Sequence, residues 1–143
     1  MNYKKLLFAI ITLLFLSACT ASKEGADEKN KTEIKVVDNF EIRFLTANQL
    51  TSEEGDILQL NFTVKNKSAD TKAFDSFVFI AENNEEKKLE IAPKENFGND
   101  LKPGETKEGS VYYYLQGSAP ITVTYEDPES DTTETWVIKG IEK

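Results

Sequence analysis

The feature that most restricts the fold is the alternation of apolar and polar residues from Leu58 to Lys65, within "ILQLNFTVKN" at residues 57–66. The apolar residues that share one face are Leu58, Leu60, Phe62 and Val64. The polar residues on the opposite face are Gln59, Asn61, Thr63 and Lys65. Because successive side chains of a strand point to opposite faces of a sheet, this period predicts a strand with one buried and one solvated face.

Short segments of the same kind recur along the chain, separated by turn residues. They are residues 34–37, 40–44, 73–82, 87–92, 110–115, 120–126 and 132–141. Pro103-Gly104 predicts a type II turn, because proline presets φ at the second position and glycine takes positive φ at the third. No segment has a convincing helical period. The sequence therefore predicts an all-β fold, an immunoglobulin-like antiparallel β-sandwich of about seven strands over residues 33–143, with residues 85–101 as its least regular part.

The N-terminal residues have the three parts of a secretory signal peptide. Lys4 and Lys5 precede an uncharged apolar run at residues 6–18, and the run ends in small residues. A helix needs about 20 apolar residues to span a bilayer, so this run is too short for a permanent transmembrane anchor. Residues 1–18 are therefore predicted to be a cleaved leader.

The end of this leader, Leu16-Ser17-Ala18-Cys19, resembles the lipobox of bacterial lipoproteins. The resemblance implies that Leu16, Ser17 and Ala18 are recognised by the lipoprotein signal peptidase, and that Cys19 carries a diacylglycerol. Two acyl chains such as palmitate hold a protein stably on a membrane, whereas one chain does so only marginally. The expected location is the extracellular side of the cell membrane, with the protein lipid-anchored through Cys19.

Residues 19–32 are predicted to be a flexible linker. The segment after the cysteine, "TASKEGADEKNKT", is polar, charged and without periodicity. A flexible chain of this length has an end-to-end distance of about 20 Å. The linker would therefore hold the folded domain away from the lipid headgroups.

The composition excludes several classes of function. The chain has 17 basic and 25 acidic residues; loss of Lys4 and Lys5 with the leader leaves 15 basic residues and a net charge of −10. Such a polyanion is a poor nucleic-acid binder. There is no histidine, and lipidation of the single cysteine leaves no thiol. Histidine is the commonest general base and the commonest zinc ligand, and without a free thiol no disulfide can form. We therefore expect neither enzyme activity nor a cofactor.

Two predicted strands break the alternation rule and suggest an interaction face. Tyr112 and Tyr114 lie opposite the apolar side of strand 110–115, and Phe77 and Phe79 share one side of the strand around 77–80. In a two-layer sandwich only one face of each sheet is buried. The second face must then be covered by another part of the chain, or else bind a partner or a second copy. Tyrosine is enriched at interfaces.

The acidic loop "YEDPESDTTE" offers a weak calcium candidate in Asp127, Glu129 and Asp131. Calcium takes six to eight oxygen ligands from loops of this type. The spacing is not that of an EF-hand, and no glycine lies in the middle of the loop. A solvated hairpin loop is the preferred interpretation, so no metal site is predicted.

Two segments carry a resemblance over roughly residues 34–140. The strand "QLNFTVKNKS" and the later "LKPGETKEGSVYYYL" resemble the uncharacterised immunoglobulin-like domain of lipoproteins from Gram-positive bacteria, which is related to the immunoprotective extracellular protein fold. The matching features are Asn66 at a strand end, the Pro103-Gly104-Glu105 turn and Gly109 before an aromatic strand. The resemblance implies a fold and an extracellular setting, and no catalytic residue is carried over from it.

These observations together predict a non-catalytic binding or interaction module at the cell surface, with an unidentified protein partner. Two alternatives remain open. One is a small-ligand or metal-binding accessory of a transporter, against which the absence of a second lobe counts. The other is an immunity or exclusion lipoprotein.

Overall fold

The structure is a computed structural model that describes residues 31–143. The predicted leader 1–18, the lipobox residues with Cys19, and most of the predicted linker lie outside the described residues. Thr32, which the sequence places at the end of the linker, is hydrogen-bonded into the domain. Its backbone N–H donates to the carbonyl of Phe44 at 3.0 Å, and its own carbonyl accepts from Nε of Arg43 at 2.9 Å.

Nine strands and one short 3-10 turn make up the regular structure of residues 31–143. They are β1 (Lys35–Val37), β2 (Phe40–Ser52), β3 (Gly55–Asn66), β4 (Lys72–Asp75), the 3-10 turn (Ser76–Val78), β5 (Phe79–Glu82), β6 (Gly98–Leu101), β7 (Thr106–Tyr114), β8 (Ile121–Glu126) and β9 (Thr133–Ile138). The strands form a four-stranded sheet β1-β2-β3-β7, a three-stranded sheet β5-β8-β9 and a small ribbon β4-β6. Every one of these strand pairs is antiparallel, which confirms the predicted fold class.

The central strand β3 has the pattern that the sequence predicts. Leu58, Leu60, Phe62 and Val64 are fully buried, and the polar residues between them are half-exposed. β3 pairs along almost its whole length with β2 on one side and β7 on the other. The apolar face of β3 therefore forms the central part of one side of the core.

Aromatic side chains join the two larger sheets across the core. Phe44 on β2 lies with its ring centroid 5.0 Å from that of Phe79 on β5 and 5.4 Å from that of Trp136 on β9. Phe62 on β3 contacts Phe79 at 5.2 Å. All three contacts are edge-on, the geometry that aromatic pairs prefer. The two layers are thus packed through rings contributed by both.

Residues from both ends of the described chain close the outer edge of β2. Thr32 pairs with Phe44 through the hydrogen bond described above. Glu142 donates its backbone N–H to the carbonyl of Ala47 at 2.8 Å and accepts from the N–H of Gln49 at 2.7 Å. With β1 paired to residues 40–42, much of this edge is hydrogen-bonded.

The predicted strand 73–82 is wrong as a single element. The Asp75 side chain accepts a hydrogen bond from the backbone N–H of Phe77 at 2.9 Å and caps the 3-10 turn. This turn interrupts the two-residue period, so β4 pairs with β6 while β5 pairs with β8. The predicted strand 87–92 is also absent as a regular strand, because residues 88 and 91 form only isolated bridges.

Candidate functional site

An open groove of about 610 Å³ lies on the three-stranded-sheet side of the domain. One wall is the 3-10 turn with the start of β5, and the other is the loop between β8 and β9. The residues that line the groove are Asp75, Phe77, Val78, Ile80, Glu126, Asp127, Pro128, Ser130, Thr132 and Thr133. Apolar side chains thus lie between acidic and hydroxyl-bearing ones.

The 3-10 turn decides which aromatic residue enters the groove. Phe77, on the turn, is 57% exposed, whereas Phe79, two residues later, is 1% exposed and belongs to the core. The cap at Asp75 sets this arrangement because it starts a turn where a continuous strand would have put both rings on one face. The prediction that Phe79 lies on an interaction face is therefore wrong, whereas Phe77 is exposed and lines the groove.

The opposite wall is held in place by Asp38 of the β1–β2 turn. Oδ1 of Asp38 accepts hydrogen bonds from the hydroxyl of Ser130 at 2.7 Å and from the hydroxyl of Thr132. Within the loop, Asp127 accepts from the backbone N–H of Glu129 at 2.9 Å. These bonds anchor the β8–β9 loop to a turn of the other sheet and so fix the shape of the groove.

Two titratable groups behind this wall have shifted pKa values. Burial raises the pKa of Asp38, but the hydroxyls of Ser130, Thr132 and Tyr125 and the charge of Lys72 lower it more, so that the pKa lies below its usual 3.8. Burial, followed by the neighbouring carboxylates, raises the pKa of Tyr125 well above its usual 10.0. At neutral pH the wall therefore contains a charged carboxylate and a protonated phenol.

The carboxylates at the groove are not neutralised by ion pairs. Within residues 31–143, five lysine–carboxylate ion pairs occur, and none of them involves Asp75, Glu126 or Asp127. Glu126 is exposed at the end of β8. The groove therefore combines an apolar lining with uncompensated negative charge.

The predicted face of four aromatic residues does not form one surface. Tyr112 and Tyr114 lie on β7, in the other sheet from the groove, and are half-exposed. The Tyr112 hydroxyl accepts from the side-chain amide of Gln59 at 3.0 Å, and the Tyr114 hydroxyl donates to Glu54 at 3.1 Å. The polar ends of both tyrosines are thus engaged within the chain.

A polar network extends from Tyr112 across the outer face of the four-stranded sheet. Ser110 donates to the side chain of Asn61 at 2.6 Å, and Asn61 in turn donates to the hydroxyl of Thr46 at 2.7 Å. A recess of about 270 Å³ beside Tyr112 is lined by residues 95–99 together with Ser110. It is smaller than the groove, and the side chains of Asn96, Asn99, Ser110 and Tyr112 in its lining already make hydrogen bonds within the chain.

The calcium candidate is not assembled in the structure. In the part of the chain that is described, no three carboxylates or thiols converge as ligands of one ion. Asp127 directs one carboxylate oxygen to the backbone of Glu129 and the other toward the Tyr125 hydroxyl, 3.5 Å away. Glu129 and Asp131 are both exposed.

Sequence reasoning missed the groove residues Asp75 and Glu126, the supporting Asp38, and the role of Val78 and Ile80. One local signal for Asp75 is present, because aspartate is a preferred capping residue ahead of a helical turn. No local signal connects residues 75–80 with residues 126–133. Their proximity depends on the register of β5 on β8, in which Phe79 pairs with Tyr125 and Ile80 with Thr124.

The fold and the groove together define a small antiparallel β-sandwich domain with an open, acidic-rimmed recess. The chain belongs to the family described as a domain of unknown function, DUF5067, whose model matches residues 17–127. No curated protein matches the chain. No helix within residues 31–143 has the length and hydropathy required to cross a bilayer.

Solved structures share this fold at low sequence identity. One is ycdA of Bacillus subtilis, described as a "putative lipoprotein", with 19% identity and a TM-score of 0.62 over 75% of this chain. The match covers 38% of that chain, so the present chain spans well under half of its length. The yjhA protein of Bacillus subtilis has 13% identity and a TM-score of 0.56, over 77% of this chain and 95% of that one.

A third similar structure is MPT63, a secreted protein of Mycobacterium tuberculosis. It has 12% identity and a TM-score of 0.49, over 77% of this chain and 88% of that chain.

Proposed function

We propose that the protein is a lipid-anchored binding module on the extracellular side of the cell membrane, and that it captures a partner in the groove without catalysing a reaction. The observation that carries the proposal is Phe77, a large aromatic side chain that is 57% exposed inside a groove of about 610 Å³. Aromatic residues in recesses are frequent anchors of protein interfaces. The lipobox at Leu16–Cys19 supports the anchored location.

The absence of histidine from the whole sequence supports the non-catalytic part of the proposal. The hydroxyls of Ser130 and Thr132 bond to each other and to the Asp38 carboxylate, which is a weak base because its pKa is lowered. Activation of such a nucleophile needs an adjacent base or another means of lowering its pKa. Binding therefore accounts for the groove better than hydrolysis or group transfer does.

The anchor is tested by replacing the only cysteine. Cells that express the natural chain, Cys19→Ala or the neighbouring control Ser22→Ala are fed an alkyne analogue of palmitate. We expect label in the natural chain and in Ser22→Ala, with both proteins in the membrane fraction. Cys19→Ala should carry no label. A labelled Cys19→Ala protein, or an unlabelled natural chain, contradicts the lipid anchor.

The binding role is tested by photo-crosslinking in the native host. A photoreactive phenylalanine analogue is placed at position 77, and the matched control carries it at position 36, where Val36 on β1 is 56% exposed. We expect one partner, identified by mass spectrometry, that crosslinks from position 77 and not from position 36. Equal crosslinking from the two positions, or none, removes the support for the groove as a binding site.

The size of the groove also suits a small molecule. This observation favours the second candidate function, a small-ligand-binding accessory of a transporter. A ligand that binds only the native state raises the melting temperature. Thermal shifts with sugars, amino acids and metal ions would distinguish the two functions. A shift that disappears in Phe77→Ser favours the small-molecule function over the protein partner.

A further inference from the structure

We infer that the groove accepts a basic, apolar peptide segment, in which apolar side chains contact the groove lining and lysine or arginine side chains meet its acidic rim. The inference rests on the proposed function, because it specifies the chemistry of the partner at the same groove. The apolar centre comes mainly from residues 77–80, and the acidic rim comes from Asp75, Glu126 and Asp127, so the two parts consist of different side chains. They can therefore be tested separately.

The lining of the groove is apolar over its centre. Phe77 is 57% exposed there, Val78 and Ile80 are half-exposed, and Pro128 forms part of the loop wall. Burial of apolar surface contributes about 25 cal/mol per Å². A partner must therefore present apolar side chains to gain from this surface.

The rim determines the charge of that partner. Asp75 and Asp127 each use one carboxylate oxygen to accept a backbone N–H, and Glu126 makes no ion pair among the described residues. Lys72 acts on Asp38 behind the wall, and Lys35 is ion-paired with Glu33 and Glu134. Complementary charge across an interface increases the association rate and excludes wrongly charged partners. A cationic segment is thus attracted, and an anionic one is repelled.

Three other occupants fit these observations less well. A second copy of the chain would bring a protein with a net charge of −10 after loss of the leader to an acidic rim. The chain's own linker has lysines, but in residues 20–32 its only apolar residues are Ala21 and Ala26. A single metal ion would need converging carboxylates, which the described residues do not supply.

The inference is tested with three synthetic peptides of equal length: alternating leucine and lysine, alternating leucine and glutamate, and alternating serine and lysine. Binding to the soluble domain is measured by calorimetry at low and high ionic strength. We expect the leucine–lysine peptide to bind at least about tenfold more tightly than the other two. Its affinity should fall as salt is raised, because exposed charges are screened.

Matched variants locate the binding. Phe77→Ser should lower the affinity for the leucine–lysine peptide about tenfold. Val36→Ser, at a residue of nearly equal exposure, should leave this affinity unchanged. Glu126→Lys should weaken it about tenfold, while Glu108→Lys on the exposed side of β7 carries the same charge change and should have little effect. The replaced residues are at the surface, and unchanged melting temperatures would verify folding.

Several results would overturn the inference. Equal binding of the leucine–glutamate or serine–lysine peptide would do so, as would an equal effect of Glu108→Lys and Glu126→Lys. If position 77 crosslinks an identified partner that has no basic, apolar segment, this inference fails and the proposed function stands. If the peptides and the crosslinking both fail, both proposals are wrong.

Discussion

The phenol of Tyr113 on β7 donates a hydrogen bond of 2.9 Å to the backbone carbonyl of Phe79 on β5. Both residues are 1% exposed, so this polar contact joins the two sheets inside the core. β5 follows directly after the 3-10 turn that places Phe77 in the groove. The bond therefore links the four-stranded sheet to one wall of the candidate site.

Tyr113→Phe is expected to lower the free energy of unfolding by about 1–2 kcal/mol, because the buried carbonyl of Phe79 loses its donor. The measurement is urea unfolding followed by Trp136 fluorescence. Tyr112→Phe is the control, since the Tyr112 hydroxyl is half-exposed and water can replace its partner. Equal losses in the two variants would contradict a special role for the bond between the sheets.

Alkaline pH should destabilise the protein through the same residue. Burial raises the pKa of Tyr113 in the folded state far above its usual 10.0. At a pH between the unfolded-state pKa and the folded-state pKa, the native state therefore keeps a proton that the unfolded chain has lost. The stabilisation is complete below pH 10 and decreases above it, by about 1.4 kcal/mol per pH unit for one such tyrosine. Unfolding midpoints measured across this range should fall less steeply in Tyr113→Phe than in the natural chain.

Gly109→Ala is expected to destabilise the domain by about 1–3 kcal/mol through overpacking. A Cβ at Gly109 would lie 2.5 Å from a ring carbon of Phe97. Gly98→Ala is the control, because a Cβ there would meet only the Asp75 side chain, at 3.6 Å. In a double-mutant cycle Phe97→Leu should relieve part of the cost of Gly109→Ala; additive losses would exclude the contact as the cause.

Asn66→Ala is expected to cost at least about 2 kcal/mol. The Asn66 side chain is fully buried, donates to the carbonyls of Asp70 and Leu101, and accepts from Ser68. Its loss leaves the Leu101 carbonyl without this donor. Thermal unfolding should show a much smaller effect for Asn99→Ala, at an exposed residue whose side-chain oxygen accepts from Lys107.

Asp38→Asn removes the charged acceptor of the Ser130 and Thr132 hydroxyls. We therefore expect this variant to lower the free energy of unfolding by about 1 kcal/mol at neutral pH and to increase hydrogen exchange in residues 127–132. The pKa of Asp38 is lowered, so its contribution is present above pH 3.8 and is lost as pH falls through the folded-state pKa. The free energies of unfolding of the natural chain and of Asp38→Asn should therefore become equal in acid. Asp131→Asn, in the same exposed loop, is the control.

The strands and turns with a clear sequence signal were predictable. The alternation in β3 gives its buried and exposed faces, and Pro103-Gly104 forms the predicted turn. Gly104 has φ of 73°, and the N–H of Glu105 donates to the carbonyl of Lys102 at 3.0 Å. The two segments that carry the family resemblance also meet, because Gly104 donates to the carbonyl of Asn66 at 2.8 Å.

The remaining differences have physical causes. β6 was not predicted because "GNDL" contains one apolar residue, Leu101, and pairs only in a two-stranded ribbon. Residues 73–82 form two strands because the Asp75 cap starts a 3-10 turn between them. The apolar pattern alone predicts one continuous strand there. The groove depends on pairing between distant segments, which periodicity does not specify. The immunoglobulin-like kinship and the anchor at Cys19 stay predictions.

The covered part of the β2 edge would matter for self-association if the domain were tethered to a membrane as proposed above. Unpaired strand edges are templates on which further chains can add, and tethering in a plane raises the local concentration of such edges. Thr32 and Glu142 occupy backbone groups along the 13-residue strand β2 that a neighbouring copy would otherwise use. Residues near both ends of the described chain therefore cover part of the edge of β2, and we expect proteolytic removal of either end to increase self-association.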